Sequence, residues 1–422
     1  MIVFQLVYVG LSIVLFFYCV SGRERMLHGF SLALMVNSVP LFLMPQFIGL
    51  EARIGGIPIA YLPIMAAAAP FFIRWRTIPK KFLPFLSAGL LYILYITATS
   101  FFPVFRFGTL PYYLAWVFNF LLFTAVASFF YRLDRDIFHR VIEKFFYLLI
   151  FACLLGMLRV LIGIADDANF MPMMNRNGTV VFIVISAPLL YYLRDIGRIS
   201  PRRFWLLFFI ILSTVVLIKS RAGMICFLFS FLFMHARLNM KTLKYLFLAG
   251  ILAAGAFLFG AVDVSVDKLQ SAGTTVSKFF GDADFDSTDA DYQRYMLVQS
   301  ALAIISDHFV FGAGVGVPNY QAAFSGSVDF FDRDSKAHNF YLSYFAELGL
   351  VGFVLLLLCF SFVYRFVSVN NVEFRSFRAI FLSVMLVMAM SEYILLPELW
   401  FFFGMLSGVA MKYKRDERMG YE

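Results

Sequence analysis

One apolar stretch sets the architecture of this chain, the run FYLSYFAELGLVGFVLLLLCFSFV at residues 340–363. Its only charged residue is Glu347. A helix needs about 20 apolar residues to cross the hydrocarbon of a bilayer, so this run is long enough to span it. Runs of the same kind recur along the sequence, and we therefore expect an all-α polytopic membrane protein with about 12–13 transmembrane helices.

The candidate spans share an apolar composition and charged borders. They lie at 2–20, 30–50, 57–73, 82–102, 111–130, 145–165, 178–193, 204–218, 222–236, 243–261, 340–363, 379–395 and 398–411. Prolines in the second and third runs predict kinks that neighbouring helices accommodate. The first run follows no basic residue and precedes no small-residue cleavage site, so we expect a retained helix rather than a removed signal peptide.

The composition excludes several classes of protein. Of the 422 residues, 62% are hydrophobic and only 14% are charged, and the mean hydropathy is +0.83. An ordinary soluble domain has about 25% charged residues. A soluble enzyme, a nucleic-acid-binding domain, a coiled coil and a disordered chain are all excluded, because none of them could hide this much apolar surface from water.

The basic residues occupy alternate loops. Most of the 35 Lys and Arg lie in one set, at 21–29, 74–81, 131–144, 194–203, 234–244 and 364–378, and in the tail from residue 412. The positive-inside rule makes this set cytoplasmic. The net charge of +9 then reflects membrane topology, and no nucleic-acid partner is expected.

The longest loop lies on the opposite side, at residues 262–338. It is hydrophilic and rich in aspartate, and a connection of this length is usually functional or disordered. Within it, Tyr292 to Ile305 predicts a helix of the kind that lies along a membrane surface, with Asp289 as its N-cap. The predicted domains are ten transmembrane helices in 1–261, the loop domain in 262–338, further transmembrane helices in 339–411 and a cytoplasmic tail in 412–422.

Arginines on the outer side depart from this bias and are candidate site residues. Arg176 in MNRNGT, Arg221 in KSRAG and Arg294 in DYQRYML each lie beside the end of a membrane run, and Lys219 precedes Arg221. A guanidinium there can form paired hydrogen bonds to phosphate oxygens and stays charged. The alternative is that these are helix-end cations that extend to lipid headgroups.

His338 and Asn339 lie where the large loop re-enters the membrane. With an unperturbed pKa of about 6.5, a histidine at such a mouth is a candidate general base; a polar interface residue is the alternative. Glu347 falls on the opposite face of a continuous helix from His338, so it is predicted to act inside the bundle. Gly349 and Gly352 would permit close helix approach there.

Arg159 is a further candidate, because it lies within an apolar run. The helix rise places it about 9 Å from the predicted outer end of that run. An ionisable residue at this depth suggests function, although a long side chain can also extend to the interface.

Three further patterns do not predict a cofactor or a metal. The glycines of GAGVG, at 312, 314 and 316, do not open a dinucleotide-binding unit and suggest a turn or a close backbone approach. Asp282, Asp284 and Asp286 lack the glycine and glutamate that a calcium loop requires. The four cysteines lie in apolar segments without a CxxC pair, which disfavours disulfides and zinc.

Four segments in order resemble the bacterial O-antigen ligase / O-antigen polymerase family: KSRAG, DYQRYM, FGAGVGVPNY and AHNFYLSYFAELGLVGF. The similarity is concentrated in residues 175–363. It implies a GT-C-like helical fold in the bacterial inner membrane, with the large loop as a periplasmic domain over the active site. It also implies a part in lipopolysaccharide or exopolysaccharide biosynthesis.

The resemblance further implies substrates and residue roles. The donor would be a glycan on undecaprenyl diphosphate, and the acceptor would be lipid A–core in a ligase or another lipid-linked glycan in a polymerase, without a cofactor or a metal. Arg221 and Arg294 would grip the diphosphate and stabilise the leaving group, while His338 would activate or position the acceptor hydroxyl. The expected substrate-binding residues are Arg176, Lys219, Asn339 and Arg159.

A transporter is the alternative function, such as a flippase for lipid-linked oligosaccharides or another polysaccharide transporter. The scarcity of charged residues within the spans and the single long outer loop favour the enzyme. The residues do not separate a ligase from a polymerase.

Overall fold

A computed structural model of the protein describes most of the chain. The described residues are 2–29, 32–33, 53–54, 57–58, 62–75, 77–101, 107–163, 176–218, 221–235, 290–323, 336–337, 339–369, 374–389 and 391–418. The predicted span 243–261 and the N-cap Asp289 lie outside them, as do nearly all of span 30–50 and the acidic triplet at 282–286.

The described part of the chain is helical apart from one small ladder. The helices are α1 Ile2–Val20, α2 Leu62–Ile73, α3 Leu83–Phe101, α4 Leu110–Phe130, α5 Arg135–Leu161, α6 Arg176–Asp195, α7 Pro201–Leu217, α8 Arg221–His235, α9 Ala290–Asp307, α10 Val317–Ala323, α11 Phe340–Val367, α12 Arg375–Met388 and α13 Pro397–Arg418. Residues 23–29 are also helical. Strand β1 (Arg53–Ile54) pairs antiparallel with β2 (Ile57–Pro58).

Four helical segments in the described ranges are long and apolar enough to cross a membrane: Lys80–Ser100, Leu110–Phe130, Arg135–Leu161 and Phe340–Val367. Shorter apolar helices accompany them, including Tyr8–Val20, Leu62–Ile73 and Gly223–Met234. The prediction of a helical, multi-pass membrane protein is therefore confirmed, and the full number of spans stays a prediction.

Several predicted boundaries need correction. Helix α5 begins at Arg135, well before the predicted start at 145, and ends at Leu161 rather than 165. Helix α13 continues to Arg418, so the described part of the predicted tail is helical. Hydropathy marks only the part of a helix that suits hydrocarbon, whereas backbone hydrogen bonding continues into the charged turns beyond it.

Local signals explain where two of the helices begin. The Ser200 hydroxyl accepts a hydrogen bond from the amide of Arg203 at 3.5 Å, and Pro201 occupies the first turn of α7. The Asn339 side chain accepts from the amide of Leu342 at 3.1 Å and caps α11.

Helices α4 and α13 pack closely because one face of α13 carries glycine. A Cβ on Gly404 would lie 2.8 Å from the carbonyl oxygen of Phe123, and a Cβ on Gly408 would overlap that of Ala127. Small residues allow this approach of helix backbones. Aromatic side chains fill the core beside this contact, including Trp116 and Trp400 with ring centroids 5.9 Å apart.

Several of the loops that the positive-inside rule assigns to one side meet in the described part of the chain. The Nζ of Lys412 donates to the carbonyl of Leu133 at 2.8 Å, and the Nζ of Lys414 donates to that of Arg365 at 2.8 Å. These bonds join the end of α13 to the loop before α5 and to the end of α11. We call this face of the bundle the basic end.

Two further contacts extend the basic end to the first helices. Arg132 donates to the carbonyl of Thr77 at 2.5 Å, and Arg74 donates to the carbonyl of Val20 at 2.9 Å. Residues 20–25, 74–75, 77, 131–135, 365 and 412–418 therefore share one end of the bundle. The start of α11 lies at the other end, since the 18 uninterrupted helical residues from 350 to 367 alone extend about 27 Å. We call it the distal end.

Contacts between aromatic rings show in which direction α6 and α8 run through the bundle. The ring centroid of His139, near the start of α5, lies 6.0 Å from that of Tyr192, near the end of α6. The ring centroid of Tyr191 lies 5.4 Å from that of Phe231, near the end of α8. Because α5 starts at the basic end, α6 and α8 both end there and begin at the distal end.

Candidate active site

A break in α11 organises the distal end. Gly349 has φ 60° and ψ −173°, a left-handed conformation that side chains disfavour, within an otherwise helical segment. The break frees backbone groups on both sides of it, because a helix interrupted there loses its internal hydrogen bonds. Gly349 was predicted to allow close helix approach, and the structure shows that it also turns the backbone.

The freed groups pair with the glycine-rich segment. The amides of Ala313 and Gly314 donate to the carbonyls of Ala346 and Glu347, each at 2.9 Å. In the other direction, the amide of Leu350 donates to a carbonyl of the same segment at 2.8 Å. The segment 309–314 thus lies against the break and is hydrogen-bonded to it, and this contact gives the glycine-rich motif a structural role.

Glycine is required where the two backbones touch. Gly312 has φ 73°, and a Cβ added to it would overlap the carbonyl of Glu347 and the amide of Gly349. The prediction of a turn or a close backbone approach for this segment is confirmed.

Tyr95 of α3 holds the same junction from the side. Its hydroxyl lies 2.9 Å from the carbonyl oxygen of Phe311 and 2.6 Å from that of Leu348. A Cβ on Gly352 would overlap the Tyr95 ring, so this glycine makes room for it. In the pattern E-x-G-x-x-G, Glu347 therefore supplies a buried carboxylate, Gly349 breaks the helix, and Gly352 leaves space for the Tyr95 ring.

The carboxylate of that pattern forms a buried ion pair. Glu347 is 0% exposed and pairs with Lys336, which is 6% exposed. The ammonium also lies 5.4 Å from the ring centroid of Tyr112 and 5.3 Å from that of Tyr344. A cation at this distance is attracted by the faces of aromatic rings.

A second carboxylate supports the charge of Lys336. The hydroxyl of Ser343 donates to Glu392, in the connection between α12 and α13. Burial lowers the pKa of Lys336, but the nearby carboxylates of Glu347 and Glu392 and the bond to Glu347 outweigh it, so that its pKa lies above the ordinary value. Lys336 is therefore expected to keep its positive charge in the site.

Ala337, which follows Lys336, packs against α9, the helix that contains Arg294. It packs in a small buried cluster with Ala301 and Ile304 of α9 and Ala346 of α11. The residues on both sides of position 338 are thus fixed, since Ala337 is buried and Asn339 caps α11.

The structure places the backbones of most predicted site residues at the distal end. Arg176 and Arg221 are the first residues of α6 and α8. Asn339 precedes α11, and Arg294 lies in α9, which packs against α11. The side chains of the three arginines lie outside the described residues, as do Lys219 and His338 entirely, so their mutual distances stay a prediction.

Arg159 lies nearer the helix end than predicted. Because α5 ends at Leu161, Arg159 belongs to its last turn, about 3 Å from the end by helix rise rather than 9 Å. Its side chain is only 3% exposed, so it is buried in the protein instead of extending outward. Hydropathy predicts a helix end at 165 because the apolar run continues past the last helical residue.

Sequence reasoning missed Lys336 and Glu392 as site residues. Glu392 carried a usable signal, since it is an acid within the predicted apolar run 379–395, the same signal that singled out Arg159. Lys336 carried only its position two residues before His338.

The comparison with protein families bears directly on this region. Residues 206–357 match the family model described as O-Antigen ligase. The matched range contains Arg221, Arg294, Lys336, His338 and Glu347. This match confirms the resemblance to the O-antigen ligase / O-antigen polymerase family that the motifs indicate. No curated protein matches the chain.

Proposed function

We propose that the chain is a membrane glycosyltransferase, because residues 206–357 match the O-Antigen ligase family model. The donor is a glycan carried on undecaprenyl diphosphate. The acceptor is a hydroxyl of lipid A–core or of another lipid-linked glycan. The reaction takes place at the distal end, which faces the periplasm, while the basic end faces the cytoplasm in the inner membrane.

The proposed step exchanges one bond at the anomeric carbon. The acceptor oxygen bonds to that carbon as the bond between the carbon and the diphosphate oxygen breaks. The acceptor proton passes to His338, and the electron pair leaves with undecaprenyl diphosphate. Arg221 and Arg294 stabilise the charge that develops on the leaving group, the task for which fixed guanidinium groups in a poorly hydrated site are suited.

The anchoring of residues 336, 337 and 339 carries this proposal. The Lys336–Glu347 pair, the buried Ala337 and the Asn339 cap hold the chain before and after His338. The same packing sets this segment against α9, which bears Arg294. A base must be held within hydrogen-bond reach of the proton it removes, and a segment fixed on both sides of it meets that need.

Loss of the proposed catalytic groups should reduce transfer strongly. We expect Arg221→Ala, Arg294→Ala and His338→Ala each to lower the transfer rate by about 10²–10³, as is typical for removal of one group that stabilises developing charge. The rate is measured with the purified chain, a lipid-diphosphate-linked glycan and an acceptor. Arg202→Ala is the matched control, since Arg202 is exposed at the start of α7. If all three variants keep the parent rate, the assigned roles are wrong.

A deletion strain separates the two acceptors. Loss of long chains with a single repeat still attached to core identifies a polymerase. Loss of all attachment, with lipid-linked polymer remaining on the outer leaflet, identifies a ligase. Lipid-linked substrate that remains on the cytoplasmic leaflet would instead indicate a transporter and contradict the proposal.

A further inference from the structure

A cavity of about 540 Å³ opens at the basic end, far from the proposed active site. It lies between the ends of α2 and α4. Its wall is formed by Arg23, Phe71, Arg74, Trp75, Thr77, Ala125, Ser128, Phe129 and Arg132. Neither the family match nor the proposed reaction gives this cavity a role, since it lies outside residues 206–357.

Three guanidinium groups and no carboxylate are found among the described residues that line the cavity. Arg74 donates to the carbonyl of Val20, Arg132 donates to Thr77, and Arg23 lies 5.6 Å from the ring centroid of Phe129. None of the three forms an ion pair with a carboxylate in the described part of the chain. A guanidinium has five N–H donors, so these contacts leave most donors of each arginine for a ligand.

Two other wall residues hold buried donors that lack an acceptor. Within the described residues, the hydroxyl of Ser128 and the indole N–H of Trp75 are buried and have no hydrogen-bond partner. Ser128 is 2% exposed. Leaving a buried donor unpaired costs free energy, and such groups normally have a partner. A ligand with several acceptor oxygens would supply that partner once either side chain turns toward the cavity.

The chemistry of the wall specifies that ligand. Guanidinium groups match the oxygens of a phosphate. The rings of Phe71 and Phe129 and the methyl group of Ala125 form an apolar part of the wall, which suits the glycerol and the first methylenes of a lipid rather than a free ion. Basic pockets between transmembrane helices on the cytoplasmic side bind anionic headgroups.

We infer that this cavity binds the phosphate group of an anionic phospholipid headgroup. The site is independent of the proposed glycan transfer, because it lies at the other end of the bundle. Its occupant would fasten α2, α4 and the arginine-bearing loops together at the membrane surface.

Lipid binding to the full-length protein tests this inference. The probes are dioleoyl phosphatidylglycerol, dioleoyl phosphatidylcholine and soluble glycerol phosphate, with retention measured by native mass spectrometry in mild detergent. We expect phosphatidylglycerol to bind more tightly than the other two. Arg23→Gln, Arg74→Gln and Arg132→Gln should each weaken it about tenfold, since a hydrogen bond to a charged group is worth about that factor.

Two variants keep the test decisive if an arginine variant folds poorly. Ser128→Ala leaves every charge in place and should also weaken phosphatidylglycerol binding about tenfold. Arg140→Gln removes an exposed charge outside the cavity and should leave binding unchanged. Equal binding of phosphatidylglycerol by the parent, the Ser128 variant and the arginine variants would overturn the site. Equally tight binding of glycerol phosphate would overturn the lipid assignment.

Discussion

Glu347→Gln should lower the free energy of unfolding by about 3–5 kcal/mol, the usual cost of removing one partner from a buried ion pair. The variant leaves the Lys336 ammonium buried without the carboxylate that it contacts. The tyrosine rings and Glu392 remain beside it, but neither replaces the direct pair. Denaturant titration of the purified protein in mild detergent measures the change.

The second partner provides the control for this prediction. In Lys336→Met combined with Glu347→Gln, the unpaired charge is gone, and we expect the double variant to be more stable than Glu347→Gln alone. Glu24→Gln neutralises an exposed glutamate and should change stability by less than about 0.5 kcal/mol. If Glu347→Gln behaves like Glu24→Gln, the pair does not stabilise the distal end.

Substitution of Gly349 or Gly312 by alanine should cause the second large loss of stability. Both residues have a positive φ, and the Cβ of either alanine would overlap backbone atoms of the opposite segment. The backbones must then separate and lose the hydrogen bonds that join 309–314 to the break. We expect a loss of more than about 4 kcal/mol in stability, in the exceptional range for one substitution, together with loss of transfer.

Two glycines outside the junction separate crowding from backbone strain. Gly163 and Gly197 have φ 71° and 75°, but nothing lies within 4 Å of an added Cβ. Alanine there should cost only the left-handed conformation, about 1–2 kcal/mol. Equal losses at all four glycines would show that the close backbone approach contributes nothing.

Much of the helical architecture could be predicted from the sequence, because hydrocarbon demands a continuous apolar run. Helix α1 has the predicted limits, and α3 and α4 differ by one or two residues. The start of α5 could not be predicted in this way. Residues 135–144 contain six charged or polar side chains among ten, and hydropathy excludes the stretch although its backbone stays helical.

The site was predictable only where chemistry is local in sequence. The break at Gly349 has a signal in the glycine pattern, but its partner segment lies nearly forty residues earlier and no periodicity links them. The Lys336–Glu347 pair could not be predicted from helix periodicity, because Lys336 precedes the helix that contains Glu347. Helix α11 begins at Phe340, so the chain before it is free to fold back onto Glu347.

The central claim is that this chain moves a glycan from a lipid diphosphate. Its most direct test is the release of undecaprenyl diphosphate by the reconstituted full-length protein, measured with acceptor present and absent and with a metal chelator added. We expect that release and glycan transfer occur together, require the acceptor, persist with chelator and fall by about 10²–10³ in Arg221→Ala and Arg294→Ala. Movement of intact lipid-linked glycan across the bilayer without any release of the diphosphate would contradict it.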